Sequence, residues 1–578
     1  MIRIKDHKTR YMFDRFGYLG RKRKQLLESS WAGVFRDHVR PILPVHLLAA
    51  HFSESVGRPT NELVAMMGAM ILQQMHDLTD AETVNQFAFN IQWHYALDIT
   101  GQSDNDAYVC EKSIWNIRRI MSEHDLYQSV FEGVSDHLAK VFDVDSSLQR
   151  LDSVHIFSNM RHLGRIGIFV KTLQKFLTNL KRHHRDRFDA LDQELTNRYL
   201  RKEEESSFSM VKPSESSRTL DTLGNDLFFL IEHFRSSDAV TGMGSYQLMV
   251  RVLREQCVVE EDPDAKTKTV AIKPNKEVGS DSLQNPSDPD AGYDGHKGKG
   301  YQVQVAETYS TDEEPKTPSL ITYIEVEPAH ASDANAVIPC LDNTREREIA
   351  PKQLLADTLY GSDENREKAK ELGVDVVSPC MGAPANGALS LGDFTFSDDN
   401  KTAACPQGHA PLKTKSKKTR YSAVFDSDIC AVCPLIDQCP VKAGSRGHYL
   451  RYDEKALRLA RRRAAEKTPE FIEKYRFRAG VEATMSQYDR RTGVKHLRVR
   501  GMKAVRFCAF LKATGINILR IAGFKNRKNA GNGPSGDDTS LLAPLFQVIK
   551  ERFMSGTMLN VRNFLGTKLC LYYGPLKA

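Results

Sequence analysis

The 578-residue chain has no long apolar run: the longest, Leu63–Leu72, is too short to cross a bilayer. The opening residues, MIRIKDHKTRYMFDRFGYLG, are charged and lack the apolar core of a secretory leader. These two absences argue against membrane insertion and export, and the cytoplasm is the expected setting. No internal repeat is evident, which argues against a solenoid or propeller plan. Neither charge dominates, since 81 Lys and Arg face 74 Asp and Glu, and a net charge of +7 is mild for this size. It names no partner. Ten cysteines without a leader are read as thiols of a reducing compartment, where clusters more often bind metal than pair.

What is present is globular. A composition of 40% hydrophobic and 27% charged residues at this length supports two to four domains with a large core. The positive charge is uneven: Tyr475–Lys503 carries eight Lys or Arg against two acids, and Leu457–Arg463 reads L-R-L-A-R-R-R. Such concentration is the footprint of a polyanion binder, and also of an ordinary solvated helix face.

Residues 1–145 are expected to be helical. Pro59-Thr60-Asn61-Glu62 opens an apolar helix through Leu72, and Thr79–Glu82 forms a capping box before V-N-Q-F-A-F-N-I. Glu111–Met121 has helical spacing. Near Leu148 the pattern changes to L-Q-R-L-D-S-V-H-I-F, a strand. Residues 160–255 return to helix, and 258–300, rich in Asp, Pro, Gly and Lys, read as a loop. Strands follow at Tyr301–Val305, Ile321–Val326, Gln353–Ala356 and Val374–Val377. Helices are expected at Ser332–Arg345 and Ser362–Leu372, the plan of a mixed α/β sheet. Val505–Ile521 is an apolar helix expected to pack on that sheet, and Lys525–Ser540 a polar linker before a short tail.

Three acids stand out against this frame. Asp152 lies in the first strand, and Asp357 follows Gln353–Ala356 in A-D-T-L-Y-G-S. Glu482 ends Y-R-F-R-A-G-V-E, where Tyr475, Arg478 and Glu482 are spaced to share one face of a single helix. Thr468 as N-cap and Pro469 in the first turn would start that helix. Converging carboxylates repel unless cations neutralise them, and hard divalent ions use such oxygens while keeping positions open for phosphate. A second constellation is Cys405, Cys430, Cys433 and Cys439, spaced C-x24-C-x2-C-x5-C, with His409 as an alternative ligand in C-P-Q-G-H. It suits a closed tetrahedral zinc site. Between its first ligand and its pair runs K-T-K-S-K-K-T-R-Y, a basic stretch suited to phosphates.

Taken in order, these elements resemble the bacterial insertion-sequence transposases of the DDE class. The likeness rests on the helical region Arg58–Met121, L-D-S-V-H-I, A-D-T-L-Y-G-S, the cysteine cluster and Tyr475–Glu482. The family signature continues to a lysine six residues beyond the glutamate. Here that position is Asp489, followed by Arg490 and Arg491. The resemblance implies a ribonuclease-H-like catalytic core, with Asp152, Asp357 and Glu482 holding two Mg²⁺ (or Mn²⁺) ions. It also implies a structural Zn²⁺ and cleavage at element ends followed by strand transfer into target DNA. Tyr475, Arg478, Arg490, Arg491 and Lys495 become candidate DNA contacts, and a homodimer or higher oligomer is implied because two ends are cut together. The domains expected are 1–145, helical and DNA-binding; 146–390, the first part of the core with its helical insertion 160–255; 391–445, the cysteine-rich zinc-binding insertion; 446–525, the second part of the core with Glu482; and 526–578, linker and tail. The rival readings are a transposase-derived DNA-binding protein without catalysis and a metal-dependent nuclease that does not join.

Overall fold

Ten residues mixing apolar and polar side chains, with β-branched Val154 and Ile156 near the end, form Leu148–Phe157, the central strand of the main sheet. The computed structural model describes residues 2–6, 14–101, 103–200, 211–261, 268–312, 317–382 and 389–531. The expected tail beyond 531, with Cys570, lies outside these residues. Strands are β1 Leu148–Phe157, β2 Cys257–Glu261, β3 Lys268–Ile272, β4 Gly292–Asp294, β5 Gly298–Thr308, β6 Ile321–Pro328, β7 Gln353–Ala356, β8 Asp375–Val377, β9 Thr395–Phe396, β10 Thr402–Ala404, β11 Lys413–Lys417, β12 Arg420–Phe425, β13 Lys442–Gly444 and β14 Gly447–Asp453.

In the main sheet β5 lies antiparallel to β1, β7 runs parallel to β1 on its other side, and β8 runs parallel to β7. The far side of β5 is shared: β4 pairs with Gly298–Gly300 and β6 with the rest of the strand. The architecture is therefore mixed α/β with a helical N-terminal region.

The helices before β1 start where the sequence signals them. Glu62 accepts the Val64 and Ala65 N–H groups at the head of Leu63–Met75, and Thr79 and Glu82 complete the capping box of Asp80–Phe89. One apolar core joins these helices to one face of the sheet and to the last helix, through Met66, Met70, Val154, Val303, Ile324, Phe507 and Phe510. Each such large side chain contributes about 1.5–3 kcal/mol by leaving water. The last helix, Met502–Gly531, is held to β6 by Asn517, whose side chain accepts the Ile321 N–H and donates to the Ile321 carbonyl, both at 2.8 Å. Over Met502–Lys528 this helix is long and apolar enough to cross a membrane, yet 78% of that apolar window is buried inside the protein. The opposite face of the sheet packs Leu151, Ala306 and Tyr323 against helices Val337–Glu346 and Asp363–Glu371.

Two insertions have cores of their own. Between β1 and β2, helices Arg165–His183, Ser216–Phe234 and Gly244–Gln256 bury Phe169, Phe176, Leu227 and Met249 together. Between β8 and helix Glu454–Ala465, β9–β14 form two small sheets around Phe394, Phe425, Leu450 and Leu457.

Three expectations need correction, the first being the polar linker Lys525–Ser540, whose first residues instead continue the last helix to Gly531. Residues 258–300 are not one loop, because Cys257–Glu261 and Lys268–Ile272 pair as a hairpin and Gly292–Asp294 joins the main sheet. Their Val-Val and Val-Ala-Ile runs are short enough to be masked by the surrounding Pro, Gly and Asp. Nor is Tyr475–Glu482 one α-helix: Pro469–Tyr475 ends, a 3₁₀ turn spans Arg476–Ala479, and a new helix begins at Gly480.

Candidate active site

The parallel register of β1 and β7 pairs Leu151 with Ala356, so the next residues, Asp152 and Asp357, stand side by side across adjacent strands. Both are held by their own backbone. Asp152 accepts the Ser153 N–H at 2.8 Å, and Asp357 accepts the Thr358 N–H at 2.7 Å as cap of the 3₁₀ turn Thr358–Tyr360. This is the carboxyl end of β7, where open α/β sheets collect functional groups.

Glu482 arrives on the first turn of Gly480–Thr492, a helix seated on the sheet by an ionic network that sequence reading missed. Glu307 of β5 is fully buried and accepts from Arg150 at 2.7 Å, Arg520 at 2.8 Å and the Thr484 hydroxyl at 2.6 Å. Arg150 also donates to the Phe477 carbonyl at 2.7 Å, pinning the 3₁₀ turn. The turn leaves no room for a side chain at Gly480, where a Cβ would lie 2.1 Å from the Arg150 guanidinium. The available signal was Glu307 itself, an acid at the end of a strand that is otherwise apolar and amide-rich.

Arg478, in that turn, is the hub. Its guanidinium lies 2.7 Å from Asp152, 3.1 Å from Glu482 and 3.9 Å from Asp357. Three acids more than three hundred residues apart at the extremes thus meet around one cation. Asp152 is the most buried, its side chain 15% exposed against 50% for Asp357 and 67% for Glu482. Burial pushes its carboxyl up to about 6; Arg478 opposes the rise, and Glu482 and Asp357 add to it. Burial works against the Arg478 charge, but Asp152 and Asp357 outweigh it and its pKa rises.

The other candidate contacts divide. Tyr475 is half-buried, stacked on Phe471 in the cluster of Tyr309, Leu355 and Val377, and burial raises its hydroxyl. Arg490 and Arg491 are exposed and make no ion pair among the described residues. Lys495 lies 3.9 Å from Asp489, so the acid in the family's lysine position is accompanied by a lysine from the following loop. The four cysteines Cys405, Cys430, Cys433 and Cys439 line one cavity of about 30 Å³ and form no disulfide. Burial raises the Cys430 thiol, and its three sulfur neighbours raise it further. His409 is exposed and does not line this cavity; only its carbonyl takes part, accepting the Cys405 N–H at 2.9 Å.

Among the described residues no group of three or more His, Cys, Asp or Glu is drawn together tightly enough to hold an ion as it stands. The donor chemistry is nonetheless of the right kind at both places: hard oxygens gathered on a positive charge, and soft sulfurs facing one another.

Residues 404–522 match the family model described as a transposase DDE domain, and residues 26–119 match the one described as a transposase domain (DUF772). The first match contains the four cysteines, Arg478 and Glu482, while Asp152 and Asp357 lie outside both. No curated protein matches the chain.

Proposed function

We propose, for a chain that is a DNA transposase of the insertion-sequence DDE class, that Asp152, Asp357 and Glu482 form its catalytic centre for cleaving element ends and transferring the freed strands to target DNA. The observation that carries this is the meeting of all three acids on Arg478 within 4.0 Å. A ribonuclease-H-like reading of the core is supported by the strand order β6-β5-β1-β7-β8, with β5 antiparallel and β1, β7 and β8 parallel.

DDE transposases generally use divalent metal ions. Here Asp152, Asp357 and Glu482 would hold two Mg²⁺ or Mn²⁺ ions. Bound there, such ions would neutralise phosphate charge and assist in-line displacement by water and then by a DNA 3′-hydroxyl. The residues of the chain do the positioning. Asp152 is fixed within a central strand and Asp357 by its capping turn, so both present oxygens from rigid backbone. Glu482, on a helix end beside the hub, is the exposed member and closes the site. Arg478 keeps the acids together before DNA arrives and is free to face a phosphate once they are otherwise neutralised. Arg490, Arg491, Lys495 and, at the rim, Tyr475 would follow the DNA backbone. Cys405, Cys430, Cys433 and Cys439 would hold Zn²⁺ as a structural brace for the inserted sheets. The helical N-terminal region would bind element ends, within a dimer or larger assembly on DNA in the bacterial cytoplasm. No membrane role is proposed, in keeping with the burial of the Met502–Lys528 helix.

The test is an assay with Mg²⁺ and DNA carrying the element's terminal repeats. The wild-type chain is expected to cut and join, while Asp152→Asn binds the ends without cutting. Residual cutting by Asp152→Asn would remove it from the centre, and cutting without joining by wild type would reduce the activity to that of a nuclease.

A further inference from the structure

In the inserted four-stranded sheet, ordered β11-β12-β14-β13, the register sorts side chains by face. One face carries Ala423, Phe425, Leu450 and Tyr452 and packs on Phe394 and Leu457. On the other, directly opposed or alternating positions bring together Lys413, Lys415, Lys417, Arg420, Arg451 and Lys442. These six are exposed, and none forms an ion pair among the described residues. The single acid on this face, Asp453, accepts the Ala456 N–H as a helix cap at 2.7 Å. Lys417 stands directly opposite Arg420, a like-charge pair that weakens a sheet, and Asp453 on the other side of Arg420 is the one acid of this face to offset it.

Lysines on a sheet edge often serve only to block edge-to-edge association. That accounts for β11 and for Lys442 on β13, both edge strands, but not for Arg420 and Arg451, which sit on the two inner strands where pairing is already complete. An open array of six cations, with Arg451 lying over the Tyr449 ring on the same face, is complementary to a regular polyanion.

The array is also braced to the candidate centre. β14 passes straight into helix Glu454–Ala465, whose Arg458 pairs with Asp363 at 2.6 Å and whose Arg462 donates to the Gly361 carbonyl at 2.6 Å. Gly361 and Asp363 follow Asp357 on the same segment. We propose that this cationic sheet face grips the phosphate backbone of duplex DNA and fixes the duplex relative to the Asp357 segment. The inference rests on the transposase reading and adds a binding surface to it.

The test measures binding of the full chain to a labelled mixed-sequence DNA duplex by fluorescence anisotropy, with no added Mg²⁺ and no chelator, across a salt series. Each phosphate contact adds about 0.9 to the slope of log affinity against log salt. The neutral quadruple variant Lys415→Gln, Lys417→Gln, Arg420→Gln, Arg451→Gln is expected to lower the slope by about 2–4 and weaken binding at least tenfold at moderate salt. The charge-preserving set Lys415→Arg, Lys417→Arg, Arg420→Lys, Arg451→Lys is expected to keep the wild-type slope. The proposal is overturned if the neutral variant binds with wild-type slope and affinity, or if the charge-preserving set loses as much as the neutral one. Failure of the parent reading shows differently: wild type would bind with the sheet-dependent slope yet neither cut nor join DNA in Mg²⁺.

Discussion

Replacing Arg478 with Gln removes the one cation that the three acids share, and the structure sets the size of the effect. At 2.7 Å from Asp152 and an effective dielectric near 20, the direct attraction is about 6 kcal/mol before the cost of burying either charge. Breaking one side of such a buried pair costs about 3–5 kcal/mol. A ceiling comes from protonation, since taking Asp152 neutral at pH 7 from its folded-state value of about 6 costs about 1.4 kcal/mol. Glu482 and Asp357 are more than a third exposed, and each adds less than about 1 kcal/mol. Arg478→Gln is therefore expected to lose about 1–3 kcal/mol at pH 7 in protein without added divalent ion. The loss should shrink below about pH 6, where Asp152 carries a proton in the folded state and no longer needs the guanidinium. Mn²⁺ should then stabilise the variant more than wild type, because the acids no longer have to exchange a bound cation. A tenfold gain in affinity would appear as about 1.4 kcal/mol. Urea denaturation at pH 7 and pH 4, without and with added Mn²⁺, measures all of this. Equal stability of variant and wild type at pH 7, with equal gains from Mn²⁺, would refute the hub.

Glu307→Gln leaves Arg150 and Arg520 facing a neutral group in a fully buried site, so a loss of about 3–5 kcal/mol in chemical denaturation is expected, together with loss of DNA cleavage as the Glu482 helix loosens. Cys430→Ser is expected to lower bound zinc, read by elemental analysis of purified protein, and to expose the β9–β14 region to protease; full zinc occupancy in the variant would exclude that thiol as a ligand. His76 is held down to about 4 by burial, so between about pH 6.5 and 4 the unfolded chain binds the proton that the folded one refuses. Stability should therefore fall on acidification through that window, by up to about 3 kcal/mol from this residue. His76→Phe, which keeps a ring against Trp31, should flatten the fall, and an unchanged pH profile in urea melts would count against it.

Much of the sheet was legible because its strands are periodic. Leu148–Phe157 and Tyr301–Val305 alternate or carry β-branched runs, and the helix Asp363–Glu371 lies between its Ser362 cap and Gly373 as read. Asp357 was legible for the same reason, at the end of a short apolar run before a Gly-Ser turn. What failed locally was Tyr475–Glu482. Its spacing is helical, but Arg150 must reach the Phe477 carbonyl and pass over Gly480, and that close approach tightens the turn. Burial of Tyr475 and the meeting of Arg478 with the aspartates depend on contacts over more than a hundred residues. No local pattern carries them.

The long segments between the acids raise the question of how chain-distant residues keep a geometry of a few ångströms. Loop-closure entropy grows slowly, by about 0.6 kcal/mol per doubling of loop length. A long insertion between β1 and β5 is therefore inexpensive if it folds on its own core, as the helices around Phe169, Phe176 and Leu227 do. The same holds for the cysteine-bearing sheets between β8 and Glu482, packed around Phe425 and Leu450. Each insertion leaves the sheet at a strand end and returns to it, so the register of β1 with β7 is untouched and Asp152 and Asp357 remain neighbours. Glu482 lacks a register of its own and is positioned by Glu307, Arg150 and Arg520 instead. Precision at the third acid thus depends on a buried ion network, and for this reason Glu307→Gln should impair cleavage without touching any of the three carboxylates.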